Sequence, residues 1–426
     1  MSETLVRKEI GKNAYLSSIK ETKFKSDRIT VCLVTPLKRE SVTVNALVPF
    51  VLRKGCKSCP DFTELNKKLA KMYGAILDAD VSKQADLQII ELSLQFIDDR
   101  FAIGGDKMTE QAAKLLCDLI FDPNLDENGL FPEKDLELER SYLIDTINSD
   151  LNDKRVYAIK KTSGMIFEGE PFGICRYGYV EDAEKITGEQ LSAAWRELVK
   201  TSRIEIMFTG PGEPETAEKV FAKRLSEAER KPASFERAPI VPYSEYKEAE
   251  EEMDIVQGKL VMAFRMGAPE TEREKNAARV FSALYGGTPF SKLFMNVREK
   301  LSLCYYVLSH FERATGVMLV DSGIEFESRE AAQAEILNQL EAVKSGDFTD
   351  VELAQTKLII KNSLGSVGDS LGAVESWYMT GILDGLIVTP EEDAAAIDEI
   401  TREEIIAIAN KAKLTTVFFL KGGEKE

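Results

Sequence analysis

Apolar and polar positions along this chain recur with two periods, and each predicts a different element. In DLQIIELSLQF (86–96), Leu87, Ile89, Glu91, Ser93 and Gln95 fall on one side, and Gln88, Ile90, Leu92, Leu94 and Phe96 on the other. That alternation predicts a strand in a sheet with one face covered by helices. FTELNKKLAKMYGA instead places Leu65, Leu69 and Met72 at spacings of four and three, as one face of a helix requires, with Asp61 as the N-cap and Gly74 as the stop. Two β-branched runs, ITVCLVTPL near Ile29 and DIVQGKLVMAFRM near Ile255, each open the same succession: two helical stretches, a second strand, then more helices.

The succession recurs because the chain contains a repeat. DLELERSYLIDTIN from Asp135 matches DVELAQTKLIIKNSL from Asp350, a shift of 215 residues. ITGEQLSAAWRELVKTSRIEIMFTG from Ile186 matches ITREEIIAIANKAKLTTVFFLKGG from Ile400, a shift of 214. Upstream, the strand at 86–96 aligns with GVMLVDSGIEF (316–326) at a shift of 230, so the second copy lacks about 15 residues, expected as a loop or shortened helix within 327–350. The expected fold class is α+β, with two homologous domains, each a mostly antiparallel sheet covered by helices. Residues 1–225 form the first domain and 249–426 the second. The stretch EAERKPASFERAPIVPYSEYKEAEEE has no sustained period and places a linker at 226–248.

Composition narrows the function. With 55 Lys and Arg against 72 Asp and Glu, the formal net charge of −17 opposes sequence-independent nucleic-acid binding. The N-terminal stretch MSETLVRKEIGKNAYLSSIKETKF never builds the apolar core of a signal peptide, and no apolar run approaches the roughly 20 residues of a membrane span, so a cytoplasmic protein without a membrane partner is expected. In that compartment the six cysteines are expected as free thiols. Cys56 and Cys59 form a lone CxxC, and no second pair exists to close a zinc site. The one histidine, His310, lies at the end of a predicted strand and reads as an exposed loop residue. Any His-dependent triad would have to be built around it, and no GxSxG, P-loop or GxGxxG stands in a strand-to-helix context.

GGTPFSKLFMNVREKLSLCYYVLSHFERATG (286–316) resembles the C-terminal-domain signature of the M16 family, the insulinases and mitochondrial processing peptidases, with Arg298 and Tyr305 seven residues apart as in that family's Arg/Tyr pair. ALVPFVLRKGC (46–56), followed by the helix after Asp61, resembles the family's first-domain helix, turn and next helix. The resemblance implies two α+β domains arranged as half of a peptide-enclosing clamshell. Active members carry HxxEH on the first-domain helix, two zinc-binding imidazoles and a general base. Here Ala46, Pro49 and Phe50 occupy those places, none of which binds zinc or moves a proton. Pro49 inside a helix would also bend it unless it fell in the first turn. DLELER matches the downstream ligand region, but Glu137 and Glu139 read as solvated helix residues.

The resemblance therefore implies a catalytically incomplete chain with no metal of its own and no independent activity. An HxxEH paralogue would be its partner, carrying the zinc, and a peptide its substrate. Arg298 would hold a substrate carbonyl, and Tyr305 would donate a hydrogen bond to the oxyanion. Alternatively the chain is a non-proteolytic scaffold or binding protein, as ALVPFVLRKG resembles a bacterial branch labelled as associated with elongation factor P modification. Without a paralogue, a homodimer is the alternative assembly.

Overall fold

The computed structural model describes residues 5–234, 236–240 and 245–423. Its strands are β1 (Val6–Gly11), β2 (Ala14–Lys20), β3 (Ser26–Pro36), β4 (Ile76–Gln84), β5 (Leu87–Ile97), β6 (Arg203–Gly210), β7 (Lys247–Met253), β8 (Gly258–Arg265), β9 (Tyr306–Glu312), β10 (Val317–Ile324) and β11 (Lys413–Gly422). The first eight helices are α1 (Val42–Leu52), α2 (Phe62–Lys71), α3 (Met108–Phe121), α4 (Glu133–Asn152), α5 (Lys154–Ile166), α6 (Val180–Ala183), α7 (Gly188–Thr201) and α8 (Pro214–Glu227). They are followed by α9 (Glu272–Ser282), α10 (Arg329–Lys344), α11 (Asp350–Gly365), α12 (Leu371–Asp384), α13 (Pro390–Asp398) and α14 (Arg402–Lys411). Two π-helical segments, Ala283–Gly287 and Phe294–Lys300, lie between β8 and β9. Among the described residues no helix is long and apolar enough to cross a membrane.

The strands form two sheets, β1-β2-β6-β3-β5-β4 and β7-β11-β8-β10-β9. β2 runs parallel to β6 and β7 to β11, and the other pairs are antiparallel. In order and in sense, β2, β6, β3, β5 and β4 correspond to β7, β11, β8, β10 and β9. The sequence repeat is thus one α+β fold used twice, with β1 added to the first copy. What the second copy lacks is loop: 98–107 before α3 shrinks to 325–328 before α10, and 122–132 after α3 to 345–349 after α10.

Two compact units comprise Met1–Ser149, Ile174–Arg237 and Gly368–Ile387 in one, and Asp150–Gly173, Ala238–Val367 and Val388–Glu426 in the other. Equivalent helices of the repeat are therefore exchanged. α12 packs on β3 and β6, and α5 on β8 and β11.

This exchange corrects the expectation of a one-sided sheet. One face of the first sheet, with Ile90, Leu92 and Leu94, belongs to a large core beneath the helices of that unit. On the opposite face, Cys32, Val34, Leu87 and Ile89 pack against Met379 and Leu383 of α12. Ile19 and Met207 pack against Val374, Tyr378 and Ile382 of the same helix. The cover arrives from residues between about 170 and 360 positions away, so no local pattern announces it. Between the two apolar clusters Glu375 of α12 accepts from Arg28 Nε at 2.8 Å and Thr30 Oγ1 at 2.6 Å, and burial pushes its carboxyl up to about 7. On the second sheet the charges are reversed: Arg155, just inside α5, pairs with Asp321 of β10.

The helix expected after Asp61 forms as α2. Asp61 accepts from Glu64 N at 2.9 Å, Leu65 and Met72 are buried, and the chain leaves through Tyr73 and Gly74 with φ of 59° and 75°. Two other expectations change. His310 is exposed as expected but lies within β9 rather than in a loop. The stretch read as a linker is partly structured. Its end is β7, whose Glu248 and Glu250 pair with Arg329. Upstream, Arg230 is buried and donates to the carbonyls of Val199, Lys12 and Ser202. Burial without a carboxylate lowers its guanidinium to about 10. Residues 235 and 241–244 of that stretch lie outside the described residues.

Candidate functional site

The segment VTVNALVPFVL is apolar on every side, and α1 is correspondingly buried almost throughout. Pro49 sits well past the first turn and the helix continues through it, although the ring leaves the Asn45 carbonyl without its usual i+4 donor. Side chains brace this part of the helix instead. Asn45 Nδ2 donates to Gln88 Oε1 at 3.3 Å, and Gln88 Nε2 donates to the carbonyls of Val42 and Arg176, each at 2.9 Å.

Ala46 and Phe50 are buried beside that brace. The Phe50 ring meets Tyr142 edge-on with centroids 5.2 Å apart and Tyr177 at 6.4 Å, and the Arg53 guanidinium lies 5.3 Å from its centroid. Tyr177 donates to Asp80 Oδ1 at 2.7 Å, and burial first, then this carboxylate, pushes its phenol up to about 12. The region holds hydrocarbon where metal ligands would be needed. Among the described residues no group of three His, Cys, Asp or Glu could hold a metal ion. Zinc does not fit this donor set.

Glu139 departs from expectation. It is buried, not solvated, and its carboxylate meets Arg53 Nη2 at 3.2 Å and Lys54 Nζ at 3.1 Å, whereas Glu137 is exposed. Two cations from the end of α1 neutralise it, which no spacing rule reveals because the partners are about 85 residues apart.

In the second repeat a recess stays open between β8 and β9, past α9, which is the counterpart of α1. After Ser291, whose hydroxyl accepts from Phe294 N at 3.3 Å, the chain winds into the π-helical segment Phe294–Lys300 and leaves it through Ser302 at φ 52°. Arg298 Nε then donates to the Tyr305 carbonyl at 2.9 Å, and its Nη1 lies 3.2 Å from Glu299. Tyr305 is 57% exposed, anchored by its backbone N–H to Gly323 O at 2.8 Å, and its hydroxyl donates to Glu325. That carboxylate raises the phenol's pKa. Arg298, Tyr305 and Glu325, with Glu299, Ser302, Leu303 and Cys304, line a recess of about 420 Å³.

Sequence reasoning thus selected two residues that the fold brings together, and missed Glu325, which lies beyond the motif, on the far side of β10. The recess offers a phenol and a cation beside two carboxylates.

Residues 185–360 match the family described as "Peptidase M16 inactive domain". Over 408 residues the chain is 31% identical to "Probable inactive metalloprotease YmfF" of Bacillus subtilis, covering 95% of each protein. The chain belongs to the M16 peptidase family. Among solved structures, this M16 chain superposes with a TM-score of 0.90 on a conserved protein from Enterococcus faecalis, at 27% identity and 99% coverage of both chains. A peptidase M16 inactive domain from Pseudomonas fluorescens gives 0.78 at 17% identity, covering 100% of this chain and 98% of the other, and bears on the fold alone. The M16 chain is a homologue of a protein named as an inactive metalloprotease, and its own α1 carries no zinc ligand.

Proposed function

We propose that this chain is the non-catalytic subunit of an M16 pair, in which an HxxEH paralogue supplies zinc and the general base, and this chain supplies Arg298, Tyr305 and half of the wall around a peptide. The observation that carries the reading is the contrast between the two repeats: the segment that would hold zinc is filled with Ala46, Pro49 and Phe50, while the recess with Arg298 and Tyr305 is open. Phenol and guanidinium so placed suit a carbonyl that becomes an oxyanion during hydrolysis, because a fixed donor gains strength as charge develops.

The test is to co-express the chain with each HxxEH paralogue of its source organism and follow cleavage of a mixed peptide pool. Tyr305→Phe keeps the ring and removes one donor, so turnover of the active complex should fall by about a hundredfold to a thousandfold without loss of assembly. Arg298→Lys keeps the charge but loses the planar fork, and should also slow cleavage. Unchanged turnover in both variants would defeat the subunit reading.

One observation favours a second reading, a scaffold without proteolysis, of which an accessory role in elongation factor P modification is one form. Both polar groups are engaged internally, Arg298 by the Tyr305 carbonyl and Glu299, and Tyr305 by Glu325. A scaffold would assemble with its partner normally in both variants and show no change of activity.

A further inference from the structure

We propose that Cys56 and Cys59 form a dithiol–disulfide couple that exchanges with low-molecular-weight disulfides. The residues lie in the turn between α1 and α2. Cys56 N donates to Cys59 O and Cys59 N to Cys56 O, both at 2.9 Å. Such a reciprocal pair places the two Cα atoms about 5.5 Å apart. Disulfides span roughly 4.4–6.8 Å between Cα atoms, so this Cα spacing falls within the range of a bond, which a small turn of the two side chains would complete. Residues paired in this way carry their side chains on one face of the turn, where Cys56 Sγ also meets Ser58 Oγ at 3.3 Å.

The turn holds this geometry rigidly and near the surface. Lys57 N donates to Asp122 O at 3.1 Å, and Ser58 Oγ to Asp118 Oδ2 at 2.7 Å, tying the loop to the end of α3. A Cβ on Gly55 would lie 2.7 Å from the Cys59 carbonyl oxygen, so only glycine lets the chain enter the turn. The thiols themselves are covered, while Lys57 and Ser58 between them are exposed, so the pair lies directly beneath the surface. A metal does not compete for the pair, because a closed zinc site needs two further ligands and no such cluster exists among the described residues.

The reaction balances with a disulfide, RSSR, as oxidant. One cysteine loses its proton and its thiolate attacks RSSR, forming protein–S–SR and releasing RS⁻. The second thiolate attacks the protein sulfur of that bond, forming the Cys56–Cys59 disulfide and releasing another RS⁻. The two thiol protons leave with the two RS⁻ as RSH, so the protein loses two electrons and two protons and RSSR gains both. Burial raises the Cys59 thiol, so little thiolate exists at neutral pH, and the rate should climb about tenfold per pH unit while the thiol remains the main form. The bond closes a very short loop and so removes little freedom from the unfolded chain, which suits a reversible couple better than a structural staple.

The experiment equilibrates the full chain with mixtures of reduced and oxidised glutathione, quenches with acid, alkylates free thiols and analyses peptides by mass spectrometry. The peptide containing 56–59 should lose two hydrogens and accept no alkyl group as the buffer becomes oxidising, and return on reduction. Cys56→Ser and Cys59→Ser should each abolish the internal bond and leave the remaining cysteine as a thiol or a glutathione adduct. Finding both cysteines alkylated in fully oxidised glutathione, including in protein refolded from urea in that buffer so that slow access cannot mask the equilibrium, would overturn the proposal. A bond from either residue to another cysteine would overturn it equally.

Discussion

The same place in the repeat carries opposite solutions in the two units. Between β3 and β4 the chain forms α1, a helix with almost no exposed side chain, whose Phe50 is wedged among aromatic rings, and then α2. Between β8 and β9 it forms α9 and two π-helical segments, and the second of these holds Arg298 beside an exposed Tyr305. The first copy spends its chemistry on packing, and the second keeps polar groups at a recess. One fold tolerates both because the sheets hold strand order and register independently of what the intervening helix displays.

The strongest way to break this contrast is Phe50→Ala. If Phe50 is now structural, removing its ring leaves a cavity among Tyr142, Tyr177 and Arg53 and should destabilise the protein by about 3–5 kcal/mol, read from urea unfolding. A loss below 1 kcal/mol would mean that the segment is loosely filled and the site not closed by packing.

The contrast extends to the exchanged helices. α12 brings a carboxylate onto Arg28, and α5 brings a guanidinium onto Asp321. At Glu375 burial outweighs the ion pair, and the carboxyl is held at about 7 against an ordinary 4.5. A carboxyl raised in the folded state binds its proton more tightly there than in the unfolded chain. Its stabilising contribution is complete below the unfolded value and is lost as pH climbs through about 7. At about 1.4 kcal/mol per pKa unit the loss is of order 3 kcal/mol. Stability should therefore fall between about pH 5 and 8, and Glu375→Gln should flatten much of that slope. Asp27, held at about 7 mainly by burial, should leave a remainder. A slope unchanged in Glu375→Gln would show that the carboxyl is solvated.

Legibility followed the range of the interactions. The strand at 86–96 and the helix after Asp61 were readable because their signals are local, an alternation and a cap. The repeat was readable because two copies carry matching blocks, and the strand order shared by the two sheets agrees with it. The exchange of α5 and α12 was not, because nothing in a helix's own sequence says which sheet it will cover. At the candidate site the seven-residue spacing selected Arg298 and Tyr305, and the presence of Ala46, Pro49 and Phe50 in place of HxxEH was plain. The burial of Glu139 and the contact of Tyr305 with Glu325 depend on residues brought together by the fold, and neither leaves a mark in one sequence.

Glu325→Gln sharpens the open side of the comparison with a smaller effect. The Tyr305 phenol is held above its ordinary pKa first by its hydrogen bond to Glu325 and then by that residue's charge. Removing the charge should bring the tyrosine titration down towards 10, as followed by ultraviolet difference spectra with Tyr305→Phe as the blank. An unmoved titration would mean that the phenol points elsewhere in solution and is already free to meet a peptide.

The smallest expected effect concerns the exit from the π-helical segment. Ser302 adopts φ 52°, a left-handed conformation that costs a residue with a Cβ about 1–2 kcal/mol, and its N–H donates to the Arg298 carbonyl at 3.1 Å. Glycine would relieve the strain but would also give the unfolded chain more freedom, worth about 0.4–1 kcal/mol against it. The balance favours Ser302→Gly by about 0.5 kcal/mol, a small upward shift of the urea midpoint. Ser302→Val should move it the other way and further, because a branched Cβ fits this conformation worst. If both variants lose stability alike, the serine side chain itself holds the turn. If they diverge as expected, the recess is framed by a strained backbone at Ser302, as the chain after α2 is at Tyr73.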